Sequence, residues 1–454
     1  MKINNKIVLL CSPNLGVLEN WLPIFDVLKK SNISIKIVCL FTKPSLASLI
    51  DPDSDLIKLS EGYIDEVVFP SYNYEWIMCD SLKKSNQANT IPYFARFLKK
   101  IENYFSNTSL KFLVKIIAKI YFFSLNIHYK KYSLINIDID SFLLDAKFIL
   151  IDIVDLHKGI PTYNNFLVSV YPKMVCFSLH HGVNIGLDKV ALKYSQKKQI
   201  ENNPNTYYYF YSKQDENFYL EHYDINSNQK QIGVPRHSNN WMNHLIENQT
   251  KLSDKYFAKP FLLIISRPSN DFLPNDRKEK TLQDIKKLAI ENLGLNVVIK
   301  CHPKEKSFDI YDSVFGKGEY NNTWFFTNRH PYLLAKQSTL CVSLYSSLVS
   351  DFLLIGTPVI EYLNIKGIPF HDNQESYRDE FNNPVLDYRY FGLVLGADNY
   401  SDLENHAKTI LSDRDSVVKK LRDTYDEHFY SNENSAKIIA DDILNEIKNE
   451  NSTS

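Results

Sequence analysis

Short apolar runs recur along this chain, and the stretches between them carry apolar residues three and four positions apart, the spacing of one helix face. Lys6 to Cys11 predicts a strand, Leu18 to Lys29 a helix and Ile33 to Phe41 a second strand, a β-α-β opening. Further strand runs stand at Glu66 to Phe69, Phe148 to Val154, Met174 to Leu179 and Tyr207 to Tyr211. Alternation of this kind predicts a parallel sheet covered by helices on both faces. Residues 238–259 are polar and irregular, and the pattern restarts at Pro260 to Ser266. A helix at Thr281 to Leu293 and strands at Asn296 to Lys300, Trp324 to Thr327, Leu340 to Leu344 and Pro358 to Tyr362 follow, with helices at Tyr332 to Gln337 and Ser347 to Ile355. The expectation is an α/β protein of two Rossmann-like units facing a cleft, residues 1–237 and 260–400, with one or two closing helices over 401–450.

A length of 454 residues fits two or three domains, and 44% apolar content is enough for two sizeable cores. The net charge of -1 gives no global attraction to nucleic acid, so any anion site must be local. The opening apolar run is too short for a secretory segment and reads as a buried strand, and no window has the length of a membrane span. Six scattered cysteines without C-x-x-C pairs or zinc spacing read as reduced core thiols of a cytoplasmic protein. Neither a Walker loop nor G-x-G-x-x-G is present.

Residues 91–132 interrupt the pattern. Eight lysines and arginines face the lone acid Glu102, interleaved with Phe and Tyr, and Lys111, Lys115 and Lys119 form a basic stripe at helical spacing. That is the composition of a helical insertion lying on an anionic membrane surface, or of an ordinary insertion with solvated lysines.

Four constellations could carry chemistry. His180-His181-Gly182 follows a strand, and in an open α/β sheet ligands sit beyond strand carboxyl ends; His181 is the candidate base and His180 the structural member of the pair. Gly233-Val234-Pro235-Arg236 is a turn from which Arg236 would reach the cleft and hold phosphate oxygens. Lys300-Cys301-His302-Pro303 ends a strand with cationic groups suited to a diphosphate. Tyr345-Ser346-Ser347 leads from a strand into a helix, where serine hydroxyls and backbone N–H groups would hold phosphate, and Asp351 one turn on would accept from ribose hydroxyls.

H-G after a strand, G-x-P-R, K-x-H-P and Y-S-S-x-x-x-D-x-x-x-x-G-x-P-V, in this order from His180 to Tyr362, resemble the bacterial two-domain (GT-B) transferases of capsule and teichoic-acid synthesis. That group includes CDP-glycerol glycerophosphotransferases and capsule enzymes using CMP-activated ulosonic acids such as Kdo or sialic-type sugars. The resemblance implies a metal-independent GT-B glycosyltransferase with no cofactor. Its donor would be a nucleotide sugar, cytidine-based, and its acceptor a surface glycan or lipid-linked molecule at the inner face of the membrane. By the same resemblance His181 is the base, and Arg236, His302, Ser346 and Ser347 hold the phosphates, with Asp351 on the ribose. This chain has His180 where the glycerophosphotransferases have Trp and Leu344 where they have Asp. It also has Ser346-Ser347 and Asp351 where the Kdo enzymes have Ser-Thr and Glu, which leaves sugar transfer and polyol-phosphate transfer both open.

Three other readings compete. Asp138-Ile-Asp140 and Asp51-Pro-Asp53 spell the D-x-D of metal-dependent GT-A enzymes but look like polar turns. A nucleotide-sugar 2-epimerase shares the two-domain plan, although a Gly-rich loop is then expected where Ser346 and Ser347 stand. A non-catalytic scaffold would have no reason to gather His181, Arg236, His302 and Asp351 on strand ends.

Overall fold

A computed structural model describes residues 5–11, 15–41, 55–68, 146–153, 174–180, 182–183, 205–222, 228–248, 257–302, 305, 308–372 and 376–453. The first sheet has strands β1 (Asn5–Cys11), β2 (Ile35–Phe41), β3 (Glu66–Val68), β4 (Ala146–Asp152), β5 (Val175–Leu179), β6 (Thr206–Phe210) and β7 (Gln229–Gln231). Their spatial order is β3-β2-β1-β4-β5-β6-β7, all parallel. The second sheet holds β8 (Phe261–Ile265), β9 (Asn296–Lys300), β10 (Trp324–Phe326), β11 (Leu340–Ser343) and β12 (Val359–Tyr362). A small hairpin, β13 (Tyr377–Arg378) with β14 (Pro384–Val385), intervenes before β15 (Leu395–Ala397) joins the edge. The order is β10-β9-β8-β11-β12-β15, again parallel.

Burial on both faces explains why these strands are near-continuous apolar runs. In β8, Phe261, Leu263 and Ile265 enter one core while Leu262 and Ile264 enter another. The first of these cores is shared: it runs from α1 (Leu15–Lys29) through the strands of the first sheet to Leu263, Val298 and Cys341 of the second. The two units are therefore joined by apolar burial as well as by chain.

Two expectations change. The span read as irregular linker contains α4 (Asn239–Asn248), whose Trp241, Met242 and Leu245 are buried; earlier helices are α2 (Asp55–Ser60) and α3 (Lys213–His222). In the second unit α5 (Asn275–Lys286), α6 (Pro331–Gln337) and α7 (Leu348–Leu354) are followed by three closing helices instead of one or two: α8 (Tyr400–Ser412), α9 (Arg414–His428) and α10 (Ser435–Thr453). The last returns to the first unit. It packs on α1, and its Glu446 and Asp442 accept from Tyr207 and Tyr209 of β6 at 2.6 and 2.8 Å, with Lys230 of β7 at 2.5 Å from Asp442. The insertion at 91–132 lies outside the described residues. Among the described residues no helix is long and apolar enough to cross a membrane, and the cysteines Cys11, Cys39, Cys176, Cys301 and Cys341 form no disulfide.

The returning segment explains Gly233. Its N–H donates to the Ser431 carbonyl at 3.0 Å and Val234 N–H to Asn432 Oδ1 at 2.8 Å, so the crossing backbone lies directly on the glycine. A Cβ there would collide with Asn432 Oδ1 and the carbonyls of Tyr430 and Ser431. Gly233→Ala should therefore cost about 1–3 kcal/mol or more as overpacking. Urea denaturation would show it, and a wild-type midpoint would mean that the crossing segment is loosely held.

Candidate functional site

Both sheets carry the strand order 3-2-1-4 in which the chain reverses direction of growth, and the crevice at such a switch point lies outside the carboxyl ends of the two central strands. In the first sheet these are β1 and β4, where Asp152 ends β4 almost completely buried. In the second they are β8 and β11. Beyond β8 stand Ser266 and Arg267; beyond β11 stand Tyr345, Ser346 and Ser347; and β9, on the other side of β8, ends in Lys300, Cys301 and His302. Three adjacent strand ends thus present two serines, an arginine, a lysine and a histidine.

Arg267 organises this rim, and the sequence patterns did not single it out. Its Nη1 donates to the Tyr345 carbonyl at 2.7 Å, and its guanidinium lies over the rings of Phe272 and Tyr345 at 4.5 and 4.9 Å from their centroids. Tyr345 takes a φ of 70°, left-handed for a bulky residue, which turns the chain sharply before Ser346. Ser346 and Ser347 are half-buried, and Leu348 N–H donates to Ser346 Oγ over a long 3.4 Å. Lys300 and His302 are likewise half-buried, and burial pushes the neighbouring Cys301 thiol up to about 12. One strand further out, burial pushes the Glu361 carboxyl up to about 7 against the pull of Arg389, whose Nε donates to it at 3.1 Å. The side chain of Arg389 crosses the face of Gly396, where any Cβ would strike it.

Arg236 and Asp351 require a correction. They were expected to reach a ligand, and the structure instead spends them on each other. Arg236 lies in a tight turn, Pro235–His237, and donates from Nε and Nη2 to the two oxygens of Asp351 at 2.8 and 3.0 Å, with Nη1 at 3.4 Å from Glu19 of α1. Asp351 also accepts from His237 Nε2 at 2.9 Å and from the Tyr332 hydroxyl at 2.5 Å. Asp351 is fully buried and Arg236 is 2% exposed, so neither is presented to a ligand in this arrangement. The reason is electrostatic: a buried guanidinium requires a buried carboxylate, and the bidentate geometry satisfies both.

This cluster ties the units together. Glu19 belongs to the first unit, Arg236 and His237 to the connection, and Tyr332 and Asp351 to the second, while Tyr425 of α9 meets His237 Nδ1 at 2.8 Å. Nearby, Arg329 Nε and the His330 N–H both donate to Asp55 of α2, at 2.9 and 2.8 Å, and the Tyr388 hydroxyl donates to the Val183 carbonyl at 3.1 Å. Burial works to raise the Asp351 carboxyl, but the charges of Arg236 and His237 and the hydrogen bonds from His237 and Tyr332 prevail and hold it well below the usual range. Burial lowers His237 against the pull of the Asp351 carboxylate, and its Nδ1 lies 2.8 Å from the Tyr425 hydroxyl.

His180 is the structural histidine that the sequence suggests. It is buried, Nε2 lies 2.9 Å from Asp215 Oδ1, and its carbonyl accepts from Asn20 and, at 3.1 Å, from the Tyr211 hydroxyl. His181 lies outside the described residues.

No protein-family model matches this chain, and no curated protein matches it by sequence. Solved structures do. The UDP-GlcNAc 2-epimerase from Neisseria meningitidis, bound to UDP-GlcNAc, is 11% identical over 97% of this chain and 100% of that one, with a TM-score of 0.53. The UDP-GlcNAc 2-epimerase of Methanocaldococcus jannaschii, in complex with UDP-GlcNAc and UDP, is 13% identical over 97% and 99%, with a TM-score of 0.52. A spinosyn rhamnosyltransferase complexed with thymidine diphosphate is 11% identical over 96% and 98%, with a TM-score of 0.44. At these identities the likeness is one of fold. The chain has the GT-B plan of two Rossmann-like units.

Because removing one partner of a buried pair strands the other, Asp351→Asn should cost about 3–5 kcal/mol. The pH dependence has a definite sign. Asp351 is depressed below an unfolded value of about 3.9 and His237 below about 6.5, so both contribute stability that is in place above those values and lost as pH falls through them. Thermal midpoints should decline gently below about pH 6.5 and steeply below about pH 4, and Asp351→Asn should flatten the acid limb. An acid limb unchanged in the variant would remove Asp351 from that role.

Proposed function

We propose that the protein is a metal-independent glycosyltransferase that moves a sugar from a nucleotide donor to a surface-glycan or lipid-linked acceptor. The observation that carries this reading is the run of three adjacent strand ends at the switch point of the second sheet, at or just beyond which Arg267, Lys300, His302, Ser346 and Ser347 stand. Fixed cations and hydroxyls there suit a diphosphate or a phosphodiester and neutralise the charge that develops as the nucleotide leaves. The acceptor would lie against the first sheet. Its hydroxyl loses a proton, attacks the anomeric carbon, and the bond from that carbon to the donor phosphate breaks with its electron pair going to the nucleotide. His181 is the proposed base, with Asp152 at the end of β4 as the alternative carboxylate. In this reading the donor is a CMP-activated ulosonic sugar, or a CDP-polyol in the related transfer, and residues 91–132 bring the enzyme to an anionic membrane where lipid-linked acceptors sit.

A second reading has specific support. The two solved structures with TM-scores above 0.5 that are named above are both UDP-GlcNAc 2-epimerases, and each is matched over nearly its whole length. Against it stands the turn at β11, built on Tyr345, Ser346 and Ser347 and held by Arg267, in place of a Gly-rich phosphate loop.

Product analysis separates the two. Incubation with CMP-, CDP- and UDP-linked donors should release nucleotide only when acceptor is added, and cytidine nucleotides should raise the thermal midpoint most. Isomerised UDP-sugar, with deuterium taken up from D2O and no acceptor present, would instead establish the epimerase. Arg267→Met should weaken nucleotide binding about tenfold or more, since charge-assisted contacts to phosphate are strong. His181→Ala should lower turnover by about 10² to 10⁴ with binding nearly unchanged.

A further inference from the structure

Lys278 is the most deeply buried lysine among the described residues, 1% exposed, in the first turn of α5, a helix that also buries Thr281, Leu282 and Ile285. A buried ammonium is costly unless every proton finds an acceptor. Here the acceptors come from two different strand ends. Lys278 Nζ donates to the Arg267 carbonyl, just beyond β8, at 2.9 Å, and forms a short ion pair with Glu305, in the loop beyond β9. Its remaining face lies over the Tyr311 ring, 4.7 Å from the centroid.

Both anchored segments carry rim residues. Glu305 N–H donates to the His302 carbonyl at 2.9 Å, closing the turn on which His302 stands. Glu305 Oε1 also accepts from the Tyr311 hydroxyl at 2.7 Å, and that hydroxyl meets Ser266 Oγ. On the other side, the residue whose carbonyl Lys278 holds is the one whose guanidinium fixes the Tyr345 carbonyl and hence the turn to Ser346 and Ser347. One ammonium thus sits between the His302 turn and the Arg267–Tyr345 turn and sets their separation.

We propose that Lys278 is a positioning residue for the anion-binding rim: through Glu305 and the Arg267 carbonyl it fixes the spacing of His302, Arg267 and the Ser346–Ser347 turn, and so sets the affinity for the donor's phosphates without touching them. This rests on the reading of the rim as a phosphate site. Compactness suits lysine to the task, since an ammonium is a point charge that serves acceptors in two directions.

The test is a set of four proteins titrated calorimetrically with CMP, UDP and inorganic pyrophosphate, each with its thermal midpoint recorded. Lys278→Met strands the Glu305 carboxylate and should lose both stability and at least tenfold in affinity. Lys278→Met combined with Glu305→Gln removes the stranded charge and should recover most of the midpoint while affinity stays at least tenfold down. Arg267→Met serves as the direct-contact comparison and should lose affinity, with some loss of midpoint from the Tyr345 carbonyl it releases. A double variant that binds like wild type, with Arg267→Met still impaired, would overturn the positioning role and leave the phosphate site standing. Wild-type protein that binds none of the three probes would overturn both.

Discussion

The structure depends on the compensation of one buried charge. Arg236 sits in the connection between two sheets, almost wholly buried, and a guanidinium in that position is tolerable only with a carboxylate held against it. Asp351 supplies the carboxylate from the second unit, and its oxygens take four donors from Arg236, His237 and Tyr332. Glu19 adds a further acid from the first unit. Because the pair is long-range and bidentate, it specifies where α7 lies relative to the connection, and the orientation of the two sheets follows from it together with the apolar core they share.

Much of the fold was legible, for a physical reason. Strands of a parallel sheet are buried on both faces, so β8 and β9 stand out as apolar runs without needing a register, and the observed bounds differ from the expected ones by only a residue or two in most cases. The helix α4 was not legible, because its buried stripe of Trp241, Met242 and Leu245 is short and set among four asparagines and a histidine. The return of α10 to the first sheet could not be read either: its partners Tyr207 and Tyr209 are more than two hundred residues away, and local pattern carries no such information.

The site divides in the same way. Ser346, Ser347, Lys300 and His302 could be placed at strand ends because strand, turn and breaker are adjacent in sequence. Arg236 and Asp351 were expected to face a nucleotide, but what each faces is decided by a partner 115 positions away. Arg267 was passed over as one arginine after a strand, and Lys278 as one lysine in a charged helix. Their importance comes from tertiary burial, which converts an ordinary surface type into a fixed charge with named acceptors.

The path of the chain at its end bears on how the protein is made. With α10 lying on α1 and β6, the second unit is in effect an insertion within the first: the chain leaves the first sheet after β7 and pairs beside it again at Phe429, opposite Ser212. During synthesis the leading sheet emerges early, yet the surface of Tyr207, Tyr209 and Lys230 that α10 covers stays open until Ser435–Thr453 has been added. The first unit is thus begun first and completed last, and a ribosome that stops short of Ser435 leaves the amino-terminal sheet, not the carboxyl-terminal one, with its flank uncovered.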